Sequence, residues 1–248
     1  MNTIPPEHEP ETWKLLGTTL WGIIIVLVFL TVQIATSIEY LLLTHPHINQ
    51  NDLGNLLGML STDGNALALS TFTSTIVCVP LILVLAKIKR RSVLTHYFPT
   101  KLPSAKEAGL WTLACLLLLA GIDLFLYLIE KSITPEFMNQ NFASADPVWF
   151  FAFALVIMTP LFEEFFFRGF LFTGIASSSL GPVWAIFLTA LVWTSIHVQY
   201  GILELSVIFC LGLLLGYARL RTGSLIIPLW LHALVNMGAT LETWLLTT

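Results

Sequence analysis

The sequence predicts an all-α fold, a polytopic bundle of about seven transmembrane helices. Of the 248 residues, 56% are hydrophobic and only 10% are charged, and the mean hydropathy is +0.83. A water-soluble domain is about 45–50% apolar and about 25% charged. The apolar residues also form long charge-free runs, too continuous for the alternating strands of a membrane β-barrel. We therefore expect residues 1–248 to form a single integral membrane domain that contacts the lipid bilayer.

A helix needs about 20 apolar residues to cross a hydrocarbon core of roughly 30 Å. The charge-free runs predict seven spans at about Leu15–Leu43, Ala66–Ala86, Ala108–Ile129, Val148–Phe172, Pro182–Tyr200, Leu203–Leu220 and Leu225–Leu246. The last three are closely spaced, so a re-entrant or merged pair is an alternative there. Residues 1–14 are polar and acidic and lack the basic start of a signal peptide, which predicts a polar cytoplasmic tail and a retained first helix.

The positions of lysine and arginine predict the orientation, because cytoplasmic loops are enriched in these residues. The stretch after the second segment carries Lys87, Lys89, Arg90, Arg91, Lys101 and Lys106. If this stretch is cytoplasmic, Lys14, Arg219 and Arg221 also lie inside and Lys131 alone lies outside. We predict a multi-pass plasma-membrane protein with a cytoplasmic N-terminus. The basic stretch serves as the topology signal, with binding of anionic lipid headgroups as the alternative. No basic cluster is large enough to predict a nucleic-acid partner.

Three charges interrupt the fourth segment, where an ionised side chain costs roughly 2.5–3.5 kcal/mol and needs a partner or a purpose. Glu164 and Arg168 are four residues apart, so they share a helix face and can pair. Glu163 is rotated by about 100° from Glu164 and has no such local partner. Pro160 lacks an N–H group, which frees a carbonyl one turn earlier and bends or opens the helix just before the acids.

Two further segments each place a pair of polar or aromatic side chains on one helix face. Trp193 and His197 stand four residues apart at the end of the fifth segment, where the indole ring can pack against the imidazole and limit its movement. His232 and Asn236 have the same spacing in the seventh segment and can hold a water or an oxyanion between them. Either pair alone is explained as structure: a hydrogen-bonded core histidine, or an interhelical bond of about 0.6–2 kcal/mol.

A carboxylate, two imidazoles and an amide on three helices are together what hydrolytic chemistry requires. Glu163, helped by His197, could take a proton from water, and His232 with Asn236 could stabilise an anionic tetrahedral intermediate. Alternatively, Glu163, His197 and His232 could bind a zinc ion that lowers the pKa of its water. The HExxH spacing, which puts two histidine ligands on one helical turn, is absent from the chain.

These residues resemble the CAAX prenyl endopeptidase and bacteriocin-processing (CPBP) family, also called the Abi family of intramembrane proteases. Its pattern is EExxxR, FxxxH and HxxxN or HxxxD on three helices. The chain reads Glu163-Glu164-xxx-Arg168, Trp193-xxx-His197 and His232-xxx-Asn236. The match covers about residues 148–246, whereas the first 140 residues match only as generic membrane helices. Trp193 departs from the usual phenylalanine and is expected to reshape the pocket near His197.

The resemblance implies an intramembrane endopeptidase, a hydrolase with its active site inside the membrane and residues 148–246 as its catalytic core. Glu163 and His197 would activate water, and His232 and Asn236 would form the oxyanion side. Glu164 and Arg168 would organise the helix, with Trp193 beside them. Members are commonly called metalloproteases, so zinc is the one cofactor the resemblance suggests. The substrate would be a membrane-bound protein or peptide, of the CAAX type or small.

Two other functions and two open points remain at this level. A proton-coupled transporter also places Glu, His and Arg in the membrane, but no inverted repeat is visible. A non-proteolytic immunity or scaffold protein could retain the motifs as structure. Asp123 is predicted either to line the same cavity or to face a loop. The predicted spans also separate Glu163 from His197 by roughly 14 Å in depth at 1.5 Å per residue, so the boundaries are misplaced or the fifth segment is tilted or broken.

Overall fold

A computed structural model describes residues 11–46, 53–89, 94–130 and 136–247 of the chain. This part folds into ten helices without a strand, which confirms the predicted all-α fold. The helices are α1 (Lys14–Thr44), α2 (Leu53–Thr62), α3 (Gly64–Ile88), α4 (Leu94–Tyr97), α5 (Ala105–Leu128), α6 (Glu136–Ser144), α7 (Val148–Ala176), α8 (Gly181–Ser195), α9 (Ile202–Thr222) and α10 (Ile226–Thr247). The basic residues Arg90, Arg91 and Lys131 and most of the predicted tail lie outside the described residues.

Five of these helices, α1, α3, α5, α7 and α9, are long and apolar enough to cross a membrane. The predicted fifth span is helical only over the 15 residues of α8, about 22 Å at 1.5 Å per residue and less than the hydrocarbon core. The predicted seventh span corresponds to α10, whose 22 residues include His232, Asn236 and Glu242. These polar residues lower its hydropathy, and α10 is not among the five.

Helix α7 lies at the centre of the bundle, since it contacts α1, α3, α8, α9 and α10. Of its most apolar window, 44% is buried inside the protein, against 11% for α5, which packs only at the periphery. The outer faces of α1 and α5 expose large aliphatic side chains such as Leu16, Leu27, Leu117 and Leu124. A stripe of this kind is the surface that lipid tails solvate, so the bundle is built to face hydrocarbon.

The described lysines and arginines other than Arg168 lie at one end of the bundle, together with Glu11 and Glu107, whereas most of the described acids lie at the other end. The ends of α3 and α9, the start of α1 and the start of α5 lie together, tied by Trp13 Nε1 donating to the Leu85 carbonyl (2.8 Å) and Ser224 Oγ donating to the Lys101 carbonyl (2.7 Å). This end carries the basic residues Lys14, Lys87, Lys89, Lys101, Lys106, Arg219 and Arg221. The opposite end carries the acids Glu39, Asp63, Glu130, Glu136, Asp146, Glu204 and Glu242. We call these the basic end and the acidic end.

The start of α3 packs against α6 so closely that only glycine fits at position 64. A Cβ atom there would lie 2.0 Å from the backbone oxygen of Asn141 and 2.9 Å from the Cβ of Ala145. We expect Gly64→Ala to destabilise the protein by about 1–3 kcal/mol, because backbone must move to admit the methyl group. The measurement is the thermal unfolding midpoint in detergent. Gly109→Ala in α5 is the control, since its Cβ would meet nothing within 4 Å; equal midpoints for the two variants would contradict this packing.

Candidate active site

Helix α7 is widened into π-helix at Ala154–Met158 and again at Glu164–Leu171. The two predicted acids stand at the start of the second widened stretch. Such π turns disturb the regular i→i−4 ladder and are frequent at functional sites. The four-residue spacing of Glu164 and Arg168 nevertheless keeps their side chains in contact.

The proline of this helix creates the anchor point of Asn236. In the first π stretch, Thr159 donates its N–H to the carbonyl of Ala154, five residues back. In the same register, the Leu155 carbonyl would accept from residue 160, which is Pro160 and has no N–H. Asn236 Nδ2 donates to that freed carbonyl at 2.8 Å. The predicted effect of Pro160 is therefore present, and it fixes α10 against α7.

A buried hydrogen-bonded chain links Arg168, Glu164 and His232. Arg168 Nη1 donates to Glu164 Oε1 at 2.8 Å, the ion pair that the spacing predicts. Neither side chain is exposed. The same Oε1 atom lies 2.8 Å from His232 Nδ1. Arg168 also donates from Nη2 to the Gly212 carbonyl at 3.3 Å and lies over the ring of Trp193, so four helices meet at this chain.

Glu163 meets its partners from other helices. Trp193 Nε1 donates to Glu163 Oε2, and His232 Nε2 lies 3.8 Å from the same oxygen. His232 is 3% exposed and stands between the two adjacent glutamates, with one ring nitrogen toward each. Because the Glu164 carboxylate paired with Arg168 can only accept, His232 Nδ1 carries a proton and Nε2 is the nitrogen left for chemistry beside Glu163.

His197 lies just beyond α8 rather than inside a span. Its Nδ1 donates to the Trp193 carbonyl at 2.6 Å, because a carbonyl can only accept, and its Nε2 is again left for chemistry. The ring packs edge-on against Trp193 and stacks on Tyr200, with centroids 5.4 and 6.0 Å apart. The helix of the predicted fifth span ends at Ser195, and Trp193, on which the His197 ring packs, reaches Glu163 by its indole N–H.

Glu163, His197, His232 and Asn236 all line one cavity of about 1190 Å³, whose other walls come mainly from apolar side chains of α1, α3, α7, α8 and α9. Asp123 lines the same cavity, which answers the question of where it faces. Sequence reasoning missed Tyr200 and Glu204, which also line it. Burial raises the pKa of the Tyr200 hydroxyl. The aromatic Tyr200 three residues after the motif histidine was the available signal, since i,i+3 side chains can meet.

The predicted zinc ligands do not form a metal-binding group in this structure. Among the described residues, no three His, Cys, Asp or Glu side chains lie close enough together to hold a metal ion. Glu163 Oε2 instead accepts the indole N–H of Trp193, and both histidine Nδ1 atoms are engaged elsewhere. A zinc site at Glu163, His197 and His232 stays a prediction.

These features define an all-helical integral membrane protein in which a buried carboxylate, Glu163, a buried histidine, His232, and a half-buried histidine, His197, line one cavity. Residues 145–238 match the model of a family described as type II CAAX prenyl endopeptidase Rce1-like. The resemblance stated from the motifs is confirmed over this segment, which contains all three of them.

The chain is also similar to an Escherichia coli protein named only as an uncharacterized 24.3 kDa protein. The two are 31% identical over 121 residues, which is 46% of this chain and 56% of that protein. The aligned part thus spans about half the length of this relative. No solved structure is significantly similar to the chain.

Proposed function

We propose that the protein is an intramembrane endopeptidase that hydrolyses peptide bonds of membrane-associated substrates with a water activated by Glu163. The observation that carries the proposal is the convergence of Glu163 with two histidines at a cavity inside the bundle. Each histidine has its Nδ1–H bound to an acceptor that cannot donate, which leaves its Nε2 as a proton acceptor or donor. This arrangement supplies a base and two proton-transfer groups without further rearrangement of α7.

The proposed reaction begins when Glu163 takes a proton from a water that attacks the carbonyl carbon of the substrate peptide bond. His197, on the cavity wall beyond Trp193, shares the proton transfer. The second N–H of Asn236, whose first is bound to the Leu155 carbonyl, is the proposed donor to the oxyanion, and His232 joins it from Nε2 when the ring carries a proton on both nitrogens. The proton on Glu163 then passes to the leaving amine, which balances the hydrolysis.

In this scheme Arg168 and Glu164 do not touch the substrate and act through His232. Arg168 holds the Glu164 carboxyl group in place, and Glu164 accepts from His232 Nδ1, which turns His232 Nε2 toward Glu163. A carboxylate that orients a histidine in this way selects both its rotamer and its proton position. Both residues are therefore proposed as positioning groups.

We infer that the basic end of the bundle is cytoplasmic, which puts the N-terminus inside. All described lysines and arginines except Arg168 lie at that end, and most of the described acids lie at the other. The positive-inside rule then assigns the side. We also propose that the protein lies in the plasma membrane, as predicted from the sequence.

The function is tested by terminal-peptide mass spectrometry on membranes from cells that express the wild type or His197→Ala. New protein termini that appear only with the wild type, at equal expression, are expected and would also identify the substrate. Identical termini in both membranes would contradict the protease and favour the immunity or scaffold function. Uptake into proteoliposomes that depends on Glu163 would instead support a transporter.

A second test concerns Trp193, because phenylalanine cannot make its hydrogen bond to Glu163. We expect Trp193→Phe to lower kcat about tenfold with little change in KM, since a hydrogen bond to a charged group contributes about 1.5–3 kcal/mol and kcat falls tenfold per ~1.4 kcal/mol. The measurement is cleavage of the substrate identified above. Trp184→Phe, an exposed tryptophan on the same helix, is the matched control. An unchanged kcat for Trp193→Phe would show that the indole N–H does not orient the base.

A further inference from the structure

A second, smaller cavity of about 350 Å³ lies at the basic end of the bundle, apart from the proposed active site. It is formed where α4, the end of α7 and the end of α9 meet. Its polar lining comes from Thr95, His96, Thr173, Ser177 and Arg219. Nothing in the proposed hydrolysis uses these residues.

Arg219 is a buried cation without an anionic partner among the described residues. Its side chain packs over the ring of Phe172, and the whole residue is only 7% exposed. Its Nε donates to the Arg168 carbonyl at 3.1 Å. No carboxylate within the described ranges forms an ion pair with Arg219, and no acceptor there binds its two terminal nitrogens. Buried charges are normally paired because desolvation of a lone ion is costly.

The groups around Arg219 suit an anion with several oxygens. Burial, and then the charge of Arg219, lower the pKa of His96, so the guanidinium acts on this side of the cavity. The Thr173 hydroxyl is buried and has no partner in the described part of the chain. Arg219 also stands in the last turn of α9, where the helix dipole favours a cation, but this effect is smaller than the cost of burying a guanidinium.

The site lies among the surface cations Lys87, Lys89, Lys101 and Arg221 of the basic end. A surface of this kind attracts anionic headgroups and soluble phosphates. A guanidinium with two free terminal nitrogens matches the oxygens of a phosphate group in a forked contact. The cavity is also large enough for a phosphate with part of its substituent.

We propose that the cavity around Arg219 binds a phosphate group, carried either by an anionic lipid headgroup or by a soluble phosphate. The bound phosphate supplies the counter-charge that Arg219 lacks. It joins α4, α7 and α9 at the membrane surface. The site is independent of the proposed hydrolysis and is tested without a cleavage assay.

The experiment uses the full chain in detergent and two probes. Native mass spectrometry counts retained phosphatidylglycerol against a neutral glucosyl diacylglycerol, which has no phosphate. Thermal unfolding is followed with inorganic phosphate against chloride at equal ionic strength. We expect Arg219→Gln to weaken binding at least tenfold. Arg221→Gln, an exposed arginine two residues further along α9, should bind as the wild type does.

The two arms separate the sources of the phosphate. Retention of phosphatidylglycerol without an effect of inorganic phosphate identifies a lipid site, and the reverse identifies a soluble ligand. Thr95→Glu keeps Arg219 and brings a carboxylate to the cavity, so it should abolish binding even if Arg219→Gln fails to fold. Wild-type protein that binds neither probe, or Thr95→Glu protein that binds as tightly as wild type, would overturn the proposal.

Discussion

Glu163→Gln is expected to lower the rate of peptide cleavage by about 100- to 10,000-fold, the range over which a general base contributes. The amide has nearly the same shape as the carboxylate and can still accept the indole N–H of Trp193 through its oxygen. It cannot take a proton from water at neutral pH. The rate loss should therefore appear in kcat, with substrate binding and the unfolding midpoint close to those of the wild type.

The control for this prediction is Glu242→Gln, the same chemical change at an exposed carboxylate that lines the same cavity. It should retain cleavage, because Glu242 forms no hydrogen bond or ion pair with Glu163 or with a histidine among the described residues. Both variants are compared on the substrate identified by terminal-peptide mass spectrometry. If Glu163→Gln cleaves at the wild-type rate, Glu163 is not the base. If both variants lose activity equally, cleavage depends on the total charge of the cavity rather than on Glu163.

Arg168→Met is expected to destabilise the protein by about 3–5 kcal/mol, because it leaves Glu164 as a buried carboxylate without its cation. Arg168 is fully buried and bonded to both Glu164 and the Gly212 carbonyl. The measurement is the thermal unfolding midpoint in mild detergent, with Arg221→Met as the exposed control. A midpoint shift no larger than that of the control would show that the pair contributes little.

The double variant Glu164→Gln with Arg168→Met separates the charge from the hydrogen bond. It removes both charges, while the amide oxygen of the glutamine can still accept from His232 Nδ1. We expect it to recover most of the lost stability, since a buried pair replaced as a unit costs little. A double variant as unstable as Arg168→Met alone would place the loss in packing around the guanidinium instead.

The pairing of Glu164 with Arg168 was predictable because it depends only on spacing along one helix. The partners of Glu163 were not, although its lack of a local partner was visible. Trp193 is 30 residues away and His232 is 69 residues away, so their approach depends on how α8 and α10 rotate against α7. The sequence did identify Pro160 as the source of a free carbonyl, but not Asn236 as the side chain that binds it.

The end of α8 is a feature of the fold that could not be predicted from the sequence. The run from Pro182 to Tyr200 contains no Asp, Glu, Lys or Arg, and this lack of charge predicts a full span. The helix nevertheless ends at Ser195, and His197 turns its Nδ1 back to the Trp193 carbonyl. The absence of charge does not show this ending, since polar uncharged residues occur within the run, and the His197 ring packs on Trp193 and Tyr200 where the chain leaves the helix.

The sequence by itself determined the membrane class, the all-α architecture, the three motifs and the ion pair, because composition and i,i+4 spacing are local properties of the chain. Only the tertiary structure decided which motif side chains meet, that Trp193 donates to Glu163, and that His232 stands between the two glutamates. It also revealed that Arg219 is a cation without an ion-pair partner in the described part of the chain. Contacts between helices depend on helix rotation, on the π register of α7 and on where each helix ends. None of these can be predicted from residue spacing or composition within one segment.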